Sequence, residues 1–449
     1  MSPVDTTQAA HAGAAEEWVG LARPVDGACA QADTSGWDEL SIHWELPSEG
    51  ESFAGFGVAA ERFSVRTANA LREAEACARS LTWLGDAPDV PGPWWGGVAF
   101  DPARPGEERW ADFGSARWIL PEAGVATRSG RTFLVAFASR SAAVDVRALL
   151  TQRLDALEKR LSQTAPAEVL FADAPAPMSS GSAPSPSWRS LMAEALSVIG
   201  SGKLTKVVLA RPLDVSLPRR FTPGPVLDAL RRRQPRCAVF LVRAPNGTAF
   251  LGATPETLLR VREGWLQTEA LAATLPRDAT LEQATDKEWR EHYSVVDAIR
   301  AALHGRVLSL RVDEAPSLVR LARLSHLRTG IEATLTPDAS LAELALALHP
   351  TPAVAGEPRP AALEFLRARE GFDRGWYAGI VGYIGRGEAH LRVALRSALV
   401  RDREARLFVG AGVVAGSTAE AEWAETCVKA TAMLEALEGS AQEGQHVAA

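Results

Sequence analysis

Two short stretches decide how this chain folds: Lys206-Val207-Val208-Leu209-Ala210-Arg211 and, further along, Gly252-Ala253-Thr254-Pro255-Glu256. In the first, the side chains alternate as in a β-strand, so that Lys206 shares a face with Val208 and Ala210. An ammonium group on an apolar strand face must be paired or lose its proton, and an unprotonated lysine can act as a base near neutral pH. The alternative is a lysine at a strand end that extends its tip into water, and the strand alone favours this alternative.

Along the rest of the chain, apolar residues recur either at every second position, as in strands, or at helical spacing, and the two patterns follow no regular order. Helices are predicted from Trp188, capped by Ser187, and over residues 286–303. Strands are predicted over residues 238–242, 248–251 and 391–400. Because strands and helices do not alternate as in βαβ units, the predicted fold class is α+β.

Composition divides the chain into two halves and three further segments. Residues 162–187 are rich in Ala, Pro and Ser, which predicts a linker or a long surface loop. This linker separates an N-terminal half, residues 17–161, from a C-terminal half, residues 188–437. The C-terminal half carries the candidate active-site residues. Residues 1–16 and 438–449 are predicted to be flexible tails.

Charge and cysteine usage limit the possible partners and location. The net charge of −7 over 449 residues gives no broad basic surface, so nucleic acid is not an expected partner. The four cysteines lack the paired spacing of a zinc site or a disulfide framework, which is typical of a reducing compartment. The N-terminus lacks a signal-peptide pattern, and no run of about 18 apolar residues predicts a membrane span. The predicted location is the cytoplasm, with no membrane partner.

Three glutamates stand where their surroundings permit chemistry. Glu256 follows Pro255, whose fixed φ restricts the backbone, and a carboxyl group near an apolar strand can stay protonated and act as an acid. A solvated glutamate at a strand end is the alternative. Glu291 and Glu425 lie on separate predicted helices and can together hold Mg²⁺, which takes one or two protein carboxylates. Each equally fits a solvated helix face, and Glu425 with Lys429 fits an ordinary i,i+4 pair.

An arginine completes the set of charged candidates. Arg396 is predicted to share a strand face with Arg392 and Ala394. Its guanidinium is a planar fork that suits a carboxylate ligand, although an exposed strand arginine is the simpler interpretation.

Taken together, the ordered motifs resemble those of the chorismate-utilising enzymes and, within them, the isochorismate synthases. The resemblance covers residues 188–437 and, more loosely, residues 96–101. Besides the two stretches quoted first, it rests on Thr268-Glu269-Ala270-Leu271-Ala272-Ala273-Thr274, His349-Pro350-Thr351-Pro352-Ala353-Val354-Ala355-Gly356, Phe372-Asp373-Arg374-Gly375-Trp376-Tyr377-Ala378-Gly379 and Gly410-Ala411-Gly412. It implies large β-sheets packed face to face with helices outside.

The resemblance also implies a reaction and roles for named residues. Lys206 corresponds to the base that activates water for attack at C2 of chorismate, and Glu256 to the acid that protonates the departing C4 hydroxyl. Glu291 and Glu425 correspond to ligands of Mg²⁺, which binds the ring carboxylate. Substrate contacts are implied for Ala273, Thr274, His326, Ala353, Tyr377, Arg396, Gly410 and Lys429, with Tyr377 and Arg396 at the enolpyruvyl carboxylate.

Three positions discriminate between members of the family. Lys206 suits a water nucleophile, Ala272 replaces a lysine that aminodeoxychorismate synthases use covalently, and Ala353 stands where pyruvate-eliminating members tend to have threonine. They favour a Mg²⁺-dependent isomerase that makes isochorismate, for menaquinone, a siderophore or salicylate. The alternatives are a salicylate synthase and a chorismate-binding protein with weak catalysis.

One position departs from the family pattern. Ala273 stands immediately before Thr274, where the family has glycine. We expect its extra methyl group to crowd the ring carboxylate or shift the backbone, so that turnover is lower than in an Ala273→Gly variant.

Overall fold

The computed structural model describes residues 17–26, 40–104, 106–163 and 183–442. The predicted tail 1–16 and most of the predicted linker 162–187 lie outside these ranges. The final helix runs to Gln442, five residues into the segment predicted as a C-terminal tail.

A 12-stranded sheet forms one layer of the fold. Its neighbouring strands are antiparallel, except that β1 and β5 are parallel. In spatial order, with strands numbered along the chain, it comprises β18 (Gly356–Glu357), β10 (Lys206–Ser216), β22 (Glu404–Val414), β21 (Ser397–Arg401), β12 (Ala249–Thr254), β11 (Ala238–Arg243), β2 (Leu40–Leu46), β3 (Glu51–Phe56), β8 (Ala123–Arg128), β9 (Arg131–Ser139), β1 (Trp18–Val25) and β5 (Thr82–Trp83).

A 10-stranded antiparallel sheet forms the second layer. It comprises β15 (Ser309–Val312), β17 (Leu324–Thr334), β14 (Trp265–Pro276), β13 (Thr257–Arg262), β20 (Ala389–Val393), β19 (Ile380–Ile384), β6 (Trp94–Val98), β7 (Ala116–Leu120) and β4 (Ala60–Ser64), with β16 (Ser317–Arg320) also paired to β17.

Helices cover the outside of the sheets. Within the described residues they are α1 (Asn69–Ser80), α2 (Val146–Gln163), α3 (Pro186–Gly200), α4 (Pro223–Arg233), α5 (Asp286–Leu303), α6 (Leu341–Leu348), α7 (Arg359–Arg369) and α8 (Ala419–Gln442), with short 3₁₀ turns at Glu108–Trp110 and Leu281–Gln283. None of these helices has both the length and the apolar character that a membrane span requires. The predicted α+β class, with sheets face to face and helices outside, is confirmed.

Period-two alternation explains how one strand supplies two cores. On β11, Phe240 faces the core between the sheets, whereas Val239 and Leu241 face a second core beneath α2, α4 and α8. Aromatic rings join the sheets: the rings of Phe53 and Trp95 stack with centroids 4.5 Å apart. Both faces of the 12-stranded sheet are therefore buried.

Two neighbouring connections carry the chain from one sheet to the other. Pro255 and Glu256 link β12 in the larger sheet to β13 in the smaller, and residues 394–396 link β20 in the smaller sheet to β21 in the larger. The prediction of one strand over residues 391–400 is therefore wrong, and Arg392 and Arg396 do not share a strand face. Arg396 has φ +48°, which ends the extended conformation between the two strands.

Candidate active site

A cavity lies where these two connections pass between the sheets. It encloses about 810 Å³ including its mouth. Its walls come from β10 and β22 of the larger sheet, β14 and β17 of the smaller sheet, and α5 and α8. Eleven of the predicted site residues line it: Glu256, Ala273, Thr274, Glu291, His326, Ala353, Tyr377, Arg396, Gly410, Glu425 and Lys429.

Lys206 reaches the cavity through its ion-pair partner. It is 2% exposed, at the start of β10, and its Nζ lies 2.9 Å from Oε1 of Glu291 on α5. Nζ makes no hydrogen bond of good geometry within the described parts of the chain. Gly412 borders the pair, because a Cβ there would lie 2.9 Å from the Glu291 carboxylate and 3.2 Å from Cε of Lys206. The buried Nζ is thus placed to hydrogen-bond a small polar molecule beside Glu291.

Glu256 is a buried acid that retains its proton at neutral pH. It is 3% exposed, and Thr351 donates a hydrogen bond of 3.4 Å to Oε1. Burial, and next the charge of Glu269, raise the pKa of Glu256 to about 8, although Thr351, Lys206 and Lys429 act in the opposite direction. A carboxyl group in this state can donate a proton to a leaving group.

Glu425 behaves in the opposite way. Burial disfavours its charged form, but Lys429 at 2.6 Å and the Thr274 hydroxyl, which donates at 3.2 Å, outweigh burial and lower its pKa. Lys429 also donates to the carbonyl oxygen of Gly410 at 3.0 Å. The i,i+4 pair predicted for Glu425 and Lys429 is therefore formed, but it faces the cavity rather than bulk water.

His326 on β17 is a neutral imidazole. Burial, and then the charges of Arg396 and Lys429, lower its pKa to about 3. Its Nδ1 lies 3.2 Å from the carbonyl oxygen of Ala273, which fixes the ring against the bulge in β14.

Tyr377 and Arg396 present two donors to the cavity. The phenol ring of Tyr377 is buried and stacks on Phe408 with centroids 5.4 Å apart, and burial raises its pKa, so that the hydroxyl stays protonated. Arg396 donates to Gln234 at 3.3 Å and has no carboxylate partner among the residues that the structure describes. An arginine without a carboxylate partner, lining a cavity, suits an anionic ligand.

Sequence reasoning missed several residues that line or support the cavity. Arg374 is 2% exposed and donates to the carbonyl oxygens of Val208 and Val354 and to Glu370, so it holds three segments together. Thr351, two residues before the cavity-lining Ala353, supplies the hydroxyl that contacts Glu256. Arg374 and Thr351 lie in the motifs quoted above, but an isolated polar residue in a motif does not reveal which backbone atoms it will meet.

The predicted magnesium ligands are compatible with a bound cation. Glu291 and Glu425 both line the cavity, and the Oε2 atom of each accepts no hydrogen bond from the described residues. The described residues hold no cluster of three or more His, Cys, Asp or Glu side chains suited to a metal. Mg²⁺ commonly takes one or two protein carboxylates and completes its shell with water and substrate oxygens, so these two residues fit.

These features define an enzyme class. The cavity between the two sheets brings together a protonated carboxylic acid, a neighbouring buried lysine and the donors of Tyr377 and Arg396, and this combination suits an enzyme acting on a small anionic substrate. The family model described as "Chorismate binding enzyme" matches residues 16–438, and the chain belongs to this family. The resemblance indicated by the sequence motifs is thereby confirmed.

Named relatives agree with this membership. The chain is 39% identical over 352 residues to the "Salicylate biosynthesis isochorismate synthase" of Pseudomonas aeruginosa, covering 76% of this chain and 73% of the relative. It is 38% identical over 258 residues to the "Isochorismate synthase MenF" of Escherichia coli, covering 55% and 59%. The solved structure of MenF, the menaquinone-specific isochorismate synthase from Escherichia coli, superposes with a TM-score of 0.72 at 27% identity and covers 94% of this chain and 95% of that one.

Proposed function

We propose that this chain is an isochorismate synthase, which converts chorismate to isochorismate by adding water at C2 and releasing the C4 hydroxyl. The observation that carries the proposal is that the protonated carboxyl group of Glu256 lines the same cavity as Glu291, whose carboxylate contacts the buried Nζ of Lys206. The names and coverage of the relatives support it.

The substrate is a dianion, and the cavity offers donors for its carboxylates. Arg396 and the Tyr377 hydroxyl would bind the enolpyruvyl carboxylate, and neutral His326 would contact the substrate without adding charge. Glu291 and Glu425 would hold Mg²⁺, which supplies a positive charge to neutralise the ring carboxylate. Thr274 and Lys429 hold Glu425 in place.

Proton transfer at two atoms completes the reaction. Lys206 would take a proton from a water molecule as the water oxygen bonds to C2, and the ring double bond shifts. Glu256 would give its proton to the C4 oxygen as the C4–O bond breaks, so that water leaves. One water is consumed and one released, and the reaction is a net isomerisation.

Product analysis tests the proposal. Incubation with chorismate and Mg²⁺ should yield isochorismate, identified by chromatography. Lys206→Ala and Glu256→Gln should each lower turnover by about a hundredfold or more, because each removes a proton-transfer group. Lys203→Ala and Glu263→Gln make the same side-chain changes at exposed positions and should leave turnover unchanged.

Two outcomes would overturn the proposal. Release of pyruvate with formation of salicylate would assign the chain as a salicylate synthase, although Ala353 at the cavity argues against this activity. Binding of chorismate without any isochorismate would assign it as a chorismate-binding protein.

A further inference from the structure

The backbone on either side of Glu256 is hydrogen-bonded to charged side chains that do not line the substrate cavity. The backbone N–H of Thr257 donates to Oε1 of Glu269 at 3.1 Å, and Nη1 of Arg392 donates to the carbonyl oxygen of Pro255 at 3.1 Å. The peptide groups on both sides of Glu256 are thus fixed by charged side chains of β14 and β20.

The carboxylate of Glu269 is half-buried and accepts hydrogen bonds from two residues. Its side chain is 13% exposed, and its Oε2 accepts a hydrogen bond of 2.6 Å from Nε of Arg328 on β17. Glu269, Arg328 and Arg392 line a second cavity, which shares only Pro255 and Leu271 with the first. Glu269 therefore does not line the cavity assigned to the substrate.

We propose that Glu269 is a positioning residue for the acid: its hydrogen bond to Thr257 anchors the segment that carries Glu256, and the same bond holds a negative charge close to that segment. This inference rests on the proposed function. It assigns to Glu269 two separable effects, one made by its hydrogen bond to Thr257 and one made by its charge.

Charges on several elements face Glu256. After burial, Glu269 is the largest influence that raises its pKa, while Lys206 on β10 and Lys429 on α8 lower it. Arg392 on β20 holds the preceding carbonyl group. The other charged or titratable groups that line the same cavity are Glu291 on α5, His326 on β17, Arg374, Tyr377, Arg396 and Glu425 on α8.

The direction of the effect follows from electrostatics. A nearby negative charge disfavours ionisation of a carboxyl group, so removing the charge of Glu269 lowers the pKa of Glu256. The acid then loses its proton at lower pH, and the alkaline decline of turnover moves to lower pH. If the pKa falls by about one unit from about 8, the protonated fraction at pH 8 falls about fivefold.

Glu269→Gln tests the inference, because the amide oxygen can still accept the Thr257 hydrogen bond while the charge is lost. Turnover is measured from pH 6 to pH 9. We expect the pH at which turnover declines on the alkaline side to fall by about one unit. The ratio of kcat at pH 8 to kcat at pH 6 should be about fivefold lower in the variant than in the wild type. The KM for chorismate should change less than twofold. Arg328→Gln removes the cation that offsets Glu269 and should move the decline to higher pH. That shift should be smaller, because the Arg328 side chain is 38% exposed and solvent screens its charge.

Glu332→Gln is the matched control. Glu332 lies on β17 and lines the second cavity, and its side chain is 34% exposed in a pair with Arg311. Glu332 is not one of the main influences on the pKa of Glu256, so the pH profile of this variant should match that of the wild type. Circular dichroism confirms that each variant is folded.

Infrared titration of the Glu256 carboxyl band, assigned by its absence in Glu256→Gln, provides a readout independent of activity. The band should disappear at lower pH in Glu269→Gln. Unchanged profiles and an unchanged band in that variant, or shifts of Glu269→Gln and Arg328→Gln in the same direction, would overturn the inference. Isochorismate formation by the wild type tests the proposed function separately, so failure of one is distinguishable from failure of the other.

Discussion

Three residues at the cavity adopt a backbone conformation that favours glycine. Ala273, Ala378 and Arg396 have φ values of +64°, +59° and +48°, and all three line the cavity. The left-handed conformation costs a residue with a Cβ roughly 1–2 kcal/mol. Such strain concentrates at functional sites, where surrounding contacts hold it in place.

Ala273→Gly should therefore stabilise the protein. The relief of strain exceeds the entropy that glycine adds to the unfolded chain, so we expect the free energy of unfolding to rise by about 1 kcal/mol. We also expect turnover to rise, because the backbone no longer has to accommodate the methyl group beside Thr274. Denaturant unfolding and chorismate turnover measure the two effects.

The control for this variant lies on the same strand. Ala270 is fully buried on β14 and its φ is negative, so its backbone carries no such strain. Ala270→Gly should therefore lower the free energy of unfolding by about 1 kcal/mol. Equal stability and turnover of Ala273→Gly and the wild type would show that the methyl group at position 273 has no effect.

At the scale of elements, the pair of connections between the sheets creates the site. Strands β12 and β21 are paired in the larger sheet, and strands β13 and β20 are paired in the smaller sheet. The connections β12–β13 and β20–β21 therefore cross between the sheets next to each other. Their close approach requires a glycine, because a Cβ on Gly252 would lie 2.6 Å from the carbonyl oxygen of Arg396. That carbonyl also accepts a hydrogen bond from the backbone N–H of Ala253 at 3.2 Å.

Gly252→Ala should separate these two connections. We expect a loss of about 1–3 kcal/mol in the free energy of unfolding, as for other insertions into a packed region, and reduced turnover because Arg396 moves. Gly200→Ala, at the exposed end of α3 where a Cβ meets nothing within 4 Å, should be neutral or slightly stabilising. A Gly252→Ala variant as stable and active as Gly200→Ala would contradict this close packing.

Sequence patterns predicted the bounds of one helix correctly and the start of another incorrectly. The helix over residues 286–303 has the predicted bounds, since its 3.6-residue period is continuous. The helix predicted from Trp188 begins at Pro186, and Ser185 rather than Ser187 caps it by accepting from the backbone N–H of Trp188. Neighbouring serines are equivalent in a sequence pattern, and proline at the first helical position decides between them.

At the scale of the whole molecule, the two halves of the chain each build part of both sheets. The halves meet at the strand pairs β2–β11 and β6–β19. Rings from both halves form the core there: Trp95 lies 4.8 Å from Tyr383 and 6.1 Å from Trp44, measured between centroids. All residues that line the candidate active site belong to the C-terminal half.

The C-terminal half should nevertheless not function alone. A fragment of residues 183–449 would expose the edges of β11 and β19 and the core around Tyr383, so we expect it to be insoluble or unfolded. Co-expression with residues 1–163 should restore soluble, active protein. Solubility, circular dichroism and turnover of the two preparations measure this, and a folded, fully active isolated fragment would disprove the dependence.

Patterns along the chain were enough to predict the α+β class, the strand that begins at Lys206, the helix that carries Glu291 and, through the ordered motifs, the family. These properties depend on local periodicity and residue order, which a single chain displays directly. Three features become visible only in the folded chain: the ion pair of Lys206 with Glu291, the raised pKa of the buried Glu256, and the division of residues 391–400 between two sheets. Burial and charge at a site depend on groups far apart along the chain, and no local pattern specifies which of them will meet.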